Sequence, residues 1–520
     1  MVPFTPDFDE IVAKTLKKWH TPGIAFSVVH NNETWSKQRT AYGLARLPTE
    51  PAATSTLYYV CSTTKAILCA AWAIYLASPA NIDSDGSRRI TWSTPMVDII
   101  RDDFVLQDAT TTNAITLEDC VSHRTGMPRH ESSYGRPGVE TSRDIVRSLR
   151  NLPLHNTLRT HFEYCNTMYV AASHALEVVT GSSNAKMFRK YLWDPLEMHE
   201  TYGGMPENQK SVATGYTFSH VPGEQGEASG ELCEASGELC EEPNKDLEGI
   251  SGAGYVMSTA DDYAKWMRCL LQGSGPLSPE MIKELWTPRT IVHDDEEQRE
   301  HFDGVICYCL GWFKATYRGQ EVVWHPGGVA GAGSCVILLP KQKWGVTFFA
   351  NIMGASALMS SLAFWLIDDL LSTPTDERKS AFLDQQYITA LEKERDSLPK
   401  QQAKLYPNVP DRRVAPLSLP LESYAGTYQH AGYGSLNFVY KADSEGAYLY
   451  AEVSRTFGAE YIFRPVNGEH WLGKRWVSVW PAKGALRARS KIGADGKLKG
   501  LEIAMEPEMP DTMMWFARTE

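Results

Sequence analysis

The apolar positions change period several times along the chain, and each change predicts an element. Over residues 8–19, Ile11, Val12, Leu16 and Trp19 fall on one face at helical spacing, and Pro22-Gly23 ends the helix. Residues 24–29 are apolar and β-branched, Asn31-Asn32 is a turn pair, and 33–42 reads as the second strand of a hairpin. An apolar run at 66–77 follows, then a polar surface loop at 80–89. Thr116 and Asp119 open a short helix as a capping box, and Gly126 and Pro128 close the stretch behind it. Further helices are predicted at 144–152, from 162 to about 179, and at 260–271 behind Ser258 or Thr259 as N-cap. Strands return at 305–316, 321–325, 334–339 and 346–351, before an apolar helix at 355–371. Strands at both ends with helices between predict an α+β fold, an antiparallel sheet whose first strands join its last.

Beyond residue 372 the pattern changes. Residues 375–404 are charged and helix-favouring, and Pro407, Pro410, Pro416 and Pro420 mark an extended tether. Short alternating strands follow at 424–428, 435–440, 448–453, 460–465, 485–491, 498–504 and 513–517, with turns between, as in a small up-and-down barrel or sandwich. The expected division is therefore 1–372, a linker at 373–417, and 418–520. One segment stands apart: Glu227 to Cys233 is repeated at once as Glu234 to Cys240. An acidic, Gly- and Ser-bearing tandem copy reads as an exposed loop, and its position makes it a candidate lid.

Composition narrows the partners. A net charge of −12 without a basic cluster excludes nucleic acid as the main partner. The first residues show no basic start or apolar h-region, and the apolar runs are interrupted or too short to span a bilayer. The expectation is a cytoplasmic protein without a membrane partner. Most of the ten cysteines sit in apolar segments and read as buried thiols. Cys307-Tyr308-Cys309 has no second Cys/His cluster at zinc spacing, so neither metal nor cofactor is expected.

Three short motifs carry chemistry. In Ser62-Thr63-Thr64-Lys65, a helix starting at or just before Ser62 puts both functional side chains on one face. A desolvated lysine can then take the proton of a serine nucleophile. In Tyr164-Cys165-Asn166, the outer two residues can face one cavity, a phenol to relay a proton and a carboxamide to hold lysine and substrate. Trp324 to Ser334 holds four glycines between 327 and 333; such backbone approaches another segment or a ligand closely, or simply forms a hairpin.

Taken in order, Ser62-Thr63-Thr64-Lys65, Tyr164-Cys165-Asn166 and His325-Pro326-Gly327 resemble the serine β-lactamase-like superfamily, in the branch of class C β-lactamases, D-aminopeptidases, esterases and fungal acyltransferases. Ser122-His123-Arg124-Thr125-Gly126-Met127-Pro128, Leu310-Gly311-Trp312, Leu338-Leu339-Pro340 and Asn351 are similar to other stretches of that family. Tyr424-Ala425-Gly426-Thr427-Tyr428 resembles its lipocalin-like C-terminal domain. The resemblance implies a β-lactamase/transpeptidase-like antiparallel sheet flanked by helices, an all-helical lobe, and a C-terminal β-barrel. It implies Ser62 as acylated nucleophile, Lys65 as its proton acceptor and Tyr164 as partner base. Asn166 and His325 would orient substrate, and the backbone N–H groups of Ser62 and Gly328 would form the oxyanion hole. Penicillin-binding proteins and β-lactamases usually carry a charged Lys-Thr-Gly where this chain has His325-Pro326-Gly327, which moves the expected chemistry from antibiotic hydrolysis toward esters, thioesters or amides. Water as acceptor gives an esterase or peptidase acting on a small molecule or short peptide. An alcohol or amine gives an acyltransferase, and a third alternative is a binding protein that keeps the fold without turnover. The barrel would cover the site mouth or mediate a homodimer.

Overall fold

The computed structural model describes residues 6–34, 40–83, 85–207, 211–220, 237–244, 246–292, 302–378, 398–407, 409, 415–477 and 480–519. Its centre is a ten-stranded antiparallel sheet. From one edge the strands run Thr290–Ile291, Cys307–Tyr308, Phe313–Tyr317, Gln320–Val329, Ala332–Leu339, Trp344–Ala350, Gly23–His30, Ala41–Arg46 and Glu50–Pro51, and Glu33–Thr34 pairs with Gly23–His30. The first strand thus lies beside the last, with Ile24 opposite Ala350 and His30 opposite Trp344.

Both sheet faces are covered, so the inner strands are buried along their whole length rather than on alternate residues. One face packs on Pro6–Lys18 and Ser356–Leu370 through Phe8, Val12, Phe348 and Leu362. The other carries Ala260–Gln272, the apolar Thr64–Ala77, and a helical lobe that includes Leu117–Val121, Ser142–Ser148 and Asn166–Thr180. Thr116 and Asp119 form the expected capping box.

Asn351 ties the sheet ends together. Its Oδ1 accepts the Gly23 N–H at 2.8 Å, and its Nδ2 donates to the carbonyls of Leu44 and Ala45 at 3.0 and 3.1 Å. Asn351→Ala leaves these buried groups without their partner and is expected to destabilise the protein by about 2–3 kcal/mol. The measurement is the urea midpoint at unchanged slope; an unmoved midpoint would show that water replaces the amide.

Two strand expectations are corrected. The stretch 305–316 splits into Cys307–Tyr308 and Phe313–Tyr317 because Gly311, at φ 80°, turns the chain between them. The glycine-rich segment does not separate two strands but lies within them: Gln320–Val329 and Ala332–Leu339 form a hairpin that turns at Ala330-Gly331.

The C-terminal part is a closed barrel of eight antiparallel strands: Gly426–His430, Gly434–Asp443, Gly446–Val453, Ala459–Asn467, His470–Val477, Trp480–Ile492, Leu498–Ile503 and Met514–Arg518. His470–Val477 is absent from the sequence reading. Trp471 and Leu472 are both buried, which breaks the alternation, and Gly473 leaves room for the Phe463 ring, which a Cβ there would meet at 2.3 Å. The barrel rests on residues 129–135. Glu506 accepts the His130 N–H at 2.6 Å, Arg455 donates to the carbonyls of Ser133 and Tyr134 at 3.0 Å each, and the Thr456 N–H reaches Gly135 at 2.9 Å.

Of the tethering region, 398–405 is helical, while 379–397 lies outside the described residues. The lid reading of 227–240 also falls mostly outside them; residues 237–240 belong to the strand Gly237–Glu242, paired with Gly215–His220.

Candidate active site

Ser62 sits in a tight 3-10 turn, Cys61–Thr63, which becomes the α-helix Thr64–Ala77. The turn is pinned from three sides. Thr63 donates its hydroxyl to Val60 O at 2.7 Å and accepts from the Tyr263 hydroxyl at 2.7 Å, and Ser334 donates to the same carbonyl at 2.7 Å. Lys65, one turn on, is completely buried, with Nζ 3.1 Å from Ser62 Oγ. Nζ also donates to Ala253 O at 3.0 Å. Burial, helped by the charge of Arg129, pushes the Lys65 pKa well below that of an ordinary lysine.

Tyr164 lies on the extended segment ahead of Asn166–Thr180. The stretch at 122–128 holds it: the Glu163 N–H reaches His123 O at 2.8 Å, and the Cys165 N–H reaches His123 Nδ1 at 3.0 Å. The Tyr164 ring lies 4.9 Å from Lys65 Nζ. Burial raises the phenol pKa to about 12, against the pull of Ser62 and Arg129, so the hydroxyl keeps its proton at neutral pH.

Asn166 is buried beside this group at the helix start, and its Oδ1 has no hydrogen-bond partner among the described residues. His325 is buried on the glycine-rich strand. Its Nδ1 lies 2.6 Å from Pro326 O, and its Nε2 faces the Tyr308 hydroxyl at 3.0 Å. Burial, with the nearby Lys65, lowers the His325 pKa to about 3, so the ring is neutral. Gly327 packs against the Ser62 turn, where a Cβ would meet Ser334 Oγ at 2.3 Å, Cys61 Cβ at 2.8 Å and Ser62 N at 2.9 Å. Gly328 is open, with nothing within 4 Å of where its Cβ would stand. The structure thus brings Ser62 and Lys65 into hydrogen-bond contact, with the Tyr164 ring 4.9 Å from Lys65 Nζ and the His325 ring 6.4 Å from that of Tyr164.

Other residues escaped the sequence reading. Ala253 follows Gly252, where a Cβ would meet Ser173 Cβ at 2.5 Å and Tyr169 O at 2.6 Å. The small residues of Gly249 to Gly254 were the available signal for that close packing. Arg129 has its guanidinium 4.7 Å from the centre of the Tyr164 ring, and no local pattern marked it.

The model of the Beta-lactamase family matches residues 8–363. The chain belongs to the Beta-lactamase family. Within that family it is 34% identical to an unguisins hydrolase of Aspergillus campestris, over 99% of this chain and 92% of the relative. A second unguisins hydrolase, of Aspergillus violaceofuscus, is 33% identical over 99% and 91%. The fold also matches the octameric penicillin-binding protein homologue from Pyrococcus abyssi, with TM-score 0.59 and 17% identity over 98% of this chain and 99% of that one. The Beta-lactamase match ends before the barrel begins, whereas both fungal relatives extend across it. Among the described residues, no helix is long and apolar enough to cross a membrane, and no group of three or more His, Cys, Asp or Glu could hold a metal.

Proposed function

We propose that the protein is a serine hydrolase that works through a Ser62 acyl-enzyme on an ester, thioester or amide of a small molecule or short peptide. The observation that carries this reading is Ser62 Oγ 3.1 Å from a completely buried lysine whose pKa is strongly lowered. Burial favours the neutral form of such an amine, the form that can accept a proton. As Oγ attacks the carbonyl carbon, its proton passes to Lys65 Nζ. The C–N, C–O or C–S bond then breaks as the leaving atom takes the proton of Tyr164, and Tyr164 regains one from protonated Lys65. Water then attacks the ester formed on Ser62 while its proton passes to Lys65, the bond to Oγ breaks as Oγ recovers that proton, and the acid leaves.

The backbone N–H groups of Ser62 and Gly328 would hold the developing oxyanion. The open Gly328 leaves space for a substrate carbonyl. Asn166 Oδ1, without a hydrogen-bond partner among the described residues, would accept a substrate N–H, and the neutral His325 would line the pocket for an uncharged substrate. The hydrolase names of the two fungal relatives favour water as acceptor over an alcohol or amine. They also make unguisins the first compounds to assay.

The test is labelling of the full chain with a fluorophosphonate, followed by intact mass and peptide mapping. One adduct on Ser62 is expected. No adduct, or one on another residue, refutes the reading.

A further inference from the structure

The barrel reaches the catalytic group through the loop between Leu498–Ile503 and Met514–Arg518. This loop is a fixed piece of structure. Met505 and Met509 are buried, the Met509 N–H bonds Glu506 O at 3.0 Å, and the Glu508 N–H bonds the Glu506 carboxylate at 3.2 Å. It brings Glu508 against Arg129, with Oε1 3.5 Å from the guanidinium Nε and Oε2 accepting the main-chain N–H of Arg129 at 3.4 Å. On its other side the guanidinium pairs with Glu131 at 2.8 Å, and its plane stands over the Tyr164 ring at 4.7 Å.

The group is poised rather than saturated. Facing Glu508 are Arg129, Glu506 of its own loop, and Glu163. Glu163 is itself held by His155 at 2.8 Å. Burial, together with Glu506 and Glu163, outweighs Arg129 and raises the Glu508 pKa to about 7. Arg129 thus has two carboxyl partners. Glu131 lies on its own segment, and Glu508 comes from the barrel.

We propose that Glu508 is a positioning residue supplied by the barrel: it holds the Arg129 guanidinium over the face of Tyr164, and so completes the reactive centre. A cation there favours the ionised phenol and disfavours protonated Lys65. Without it, the acid limb of the pH–rate profile moves to higher pH whichever of the two groups takes the Ser62 proton. The kinetic consequence rests on the acyl-enzyme reading; the position of the guanidinium does not.

The experiment compares the full chain with Glu508→Ala, Glu508→Gln, Arg129→Ala and the Glu508→Ala/Arg129→Ala pair, by fluorophosphonate acylation rate against pH. Glu508→Ala is expected to slow acylation about tenfold near neutral pH and to shift the acid limb upward. Glu508→Gln keeps an acceptor for Arg129 and is expected to stay within about threefold of the parent. The double variant should be no slower than Arg129→Ala alone. An unchanged rate in Glu508→Ala, or losses that multiply in the double variant, overturns the proposal. If Glu508→Ala does not fold, Glu508→Met takes its place at similar volume. A crystal structure of the folded variant gives the second readout. Arg129 displaced toward Glu131 is expected, and Arg129 still over Tyr164 overturns the proposal even if the parent takes no adduct. That last result, no adduct on the parent, would fall on the acyl-enzyme reading alone.

Discussion

Lys65→Met is expected to slow acylation of Ser62 by about 10³-fold or more, close to the blank set by Ser62→Ala, because it removes the amine that stands 3.1 Å from Ser62 Oγ and accepts its proton. The same change is expected to raise the thermal midpoint. A completely buried amine is costly to desolvate, and methionine fills its place with apolar atoms. The sign of the pH dependence follows from the lowered lysine pKa. Below the unfolded value of about 10.4 the unfolded chain binds a proton that the folded chain resists, so this site's contribution to stability falls as pH falls. The penalty grows until the pH drops below the folded pKa. Activity has the same direction, since Lys65 must be neutral to accept a proton. Melting curves and acylation rates between pH 5 and 9 check both, and a variant that is slower and also less stable at every pH would contradict the account.

Gly327→Ala is expected to cost about 10²–10³-fold in acylation, the effect of losing one oxyanion donor. Its Cβ would enter the 2.9 Å space beside Ser62 N and press on Cys61 Cβ, neither of which can move without shifting the turn. Overpacking of this kind also destabilises by about 1–3 kcal/mol. Gly328→Ala is the control: its Cβ meets nothing, so the melting temperature should not move. Equal melting temperatures and equal rates for the two variants would mean that the strand can yield and that Ser62 N is not held by it.

The features legible in the sequence are those whose cause is local. Ser62 and Lys65 are a turn apart, and the capping box at Thr116 and Asp119 repeats a known hydrogen-bond pattern. The glycines at 327 and 328 announced close approach without saying to what, and only the fold shows that one backs onto the Ser62 turn while the other opens outward. The end of the sheet differs from the expectation because Gly311 turns the chain inside 305–316, which reads as one strand. A Cβ at Gly311 would meet Lys65 O at 2.9 Å, so this turn is shaped by a neighbour distant in sequence. Arg129 and Glu508 were invisible for the same reason. They are 379 positions apart, each an ordinary surface residue type, and nothing near either one distinguishes it.

The pairing of Gly23–His30 with Trp344–Ala350 also governs how the protein is made. The Gly23 N–H waits for Asn351, 328 positions later in the chain. During synthesis the apolar strand Gly23–His30 therefore emerges from the ribosome long before its partner exists. Closing so long a loop is entropically slow, and although Gly23–His30 can pair early with Glu33–Thr34 and Ala41–Arg46, its other edge stays open meanwhile as a site for wrong association. Shortening the wait, by joining strand and partner in a rearranged chain order, would ease folding without touching Ser62.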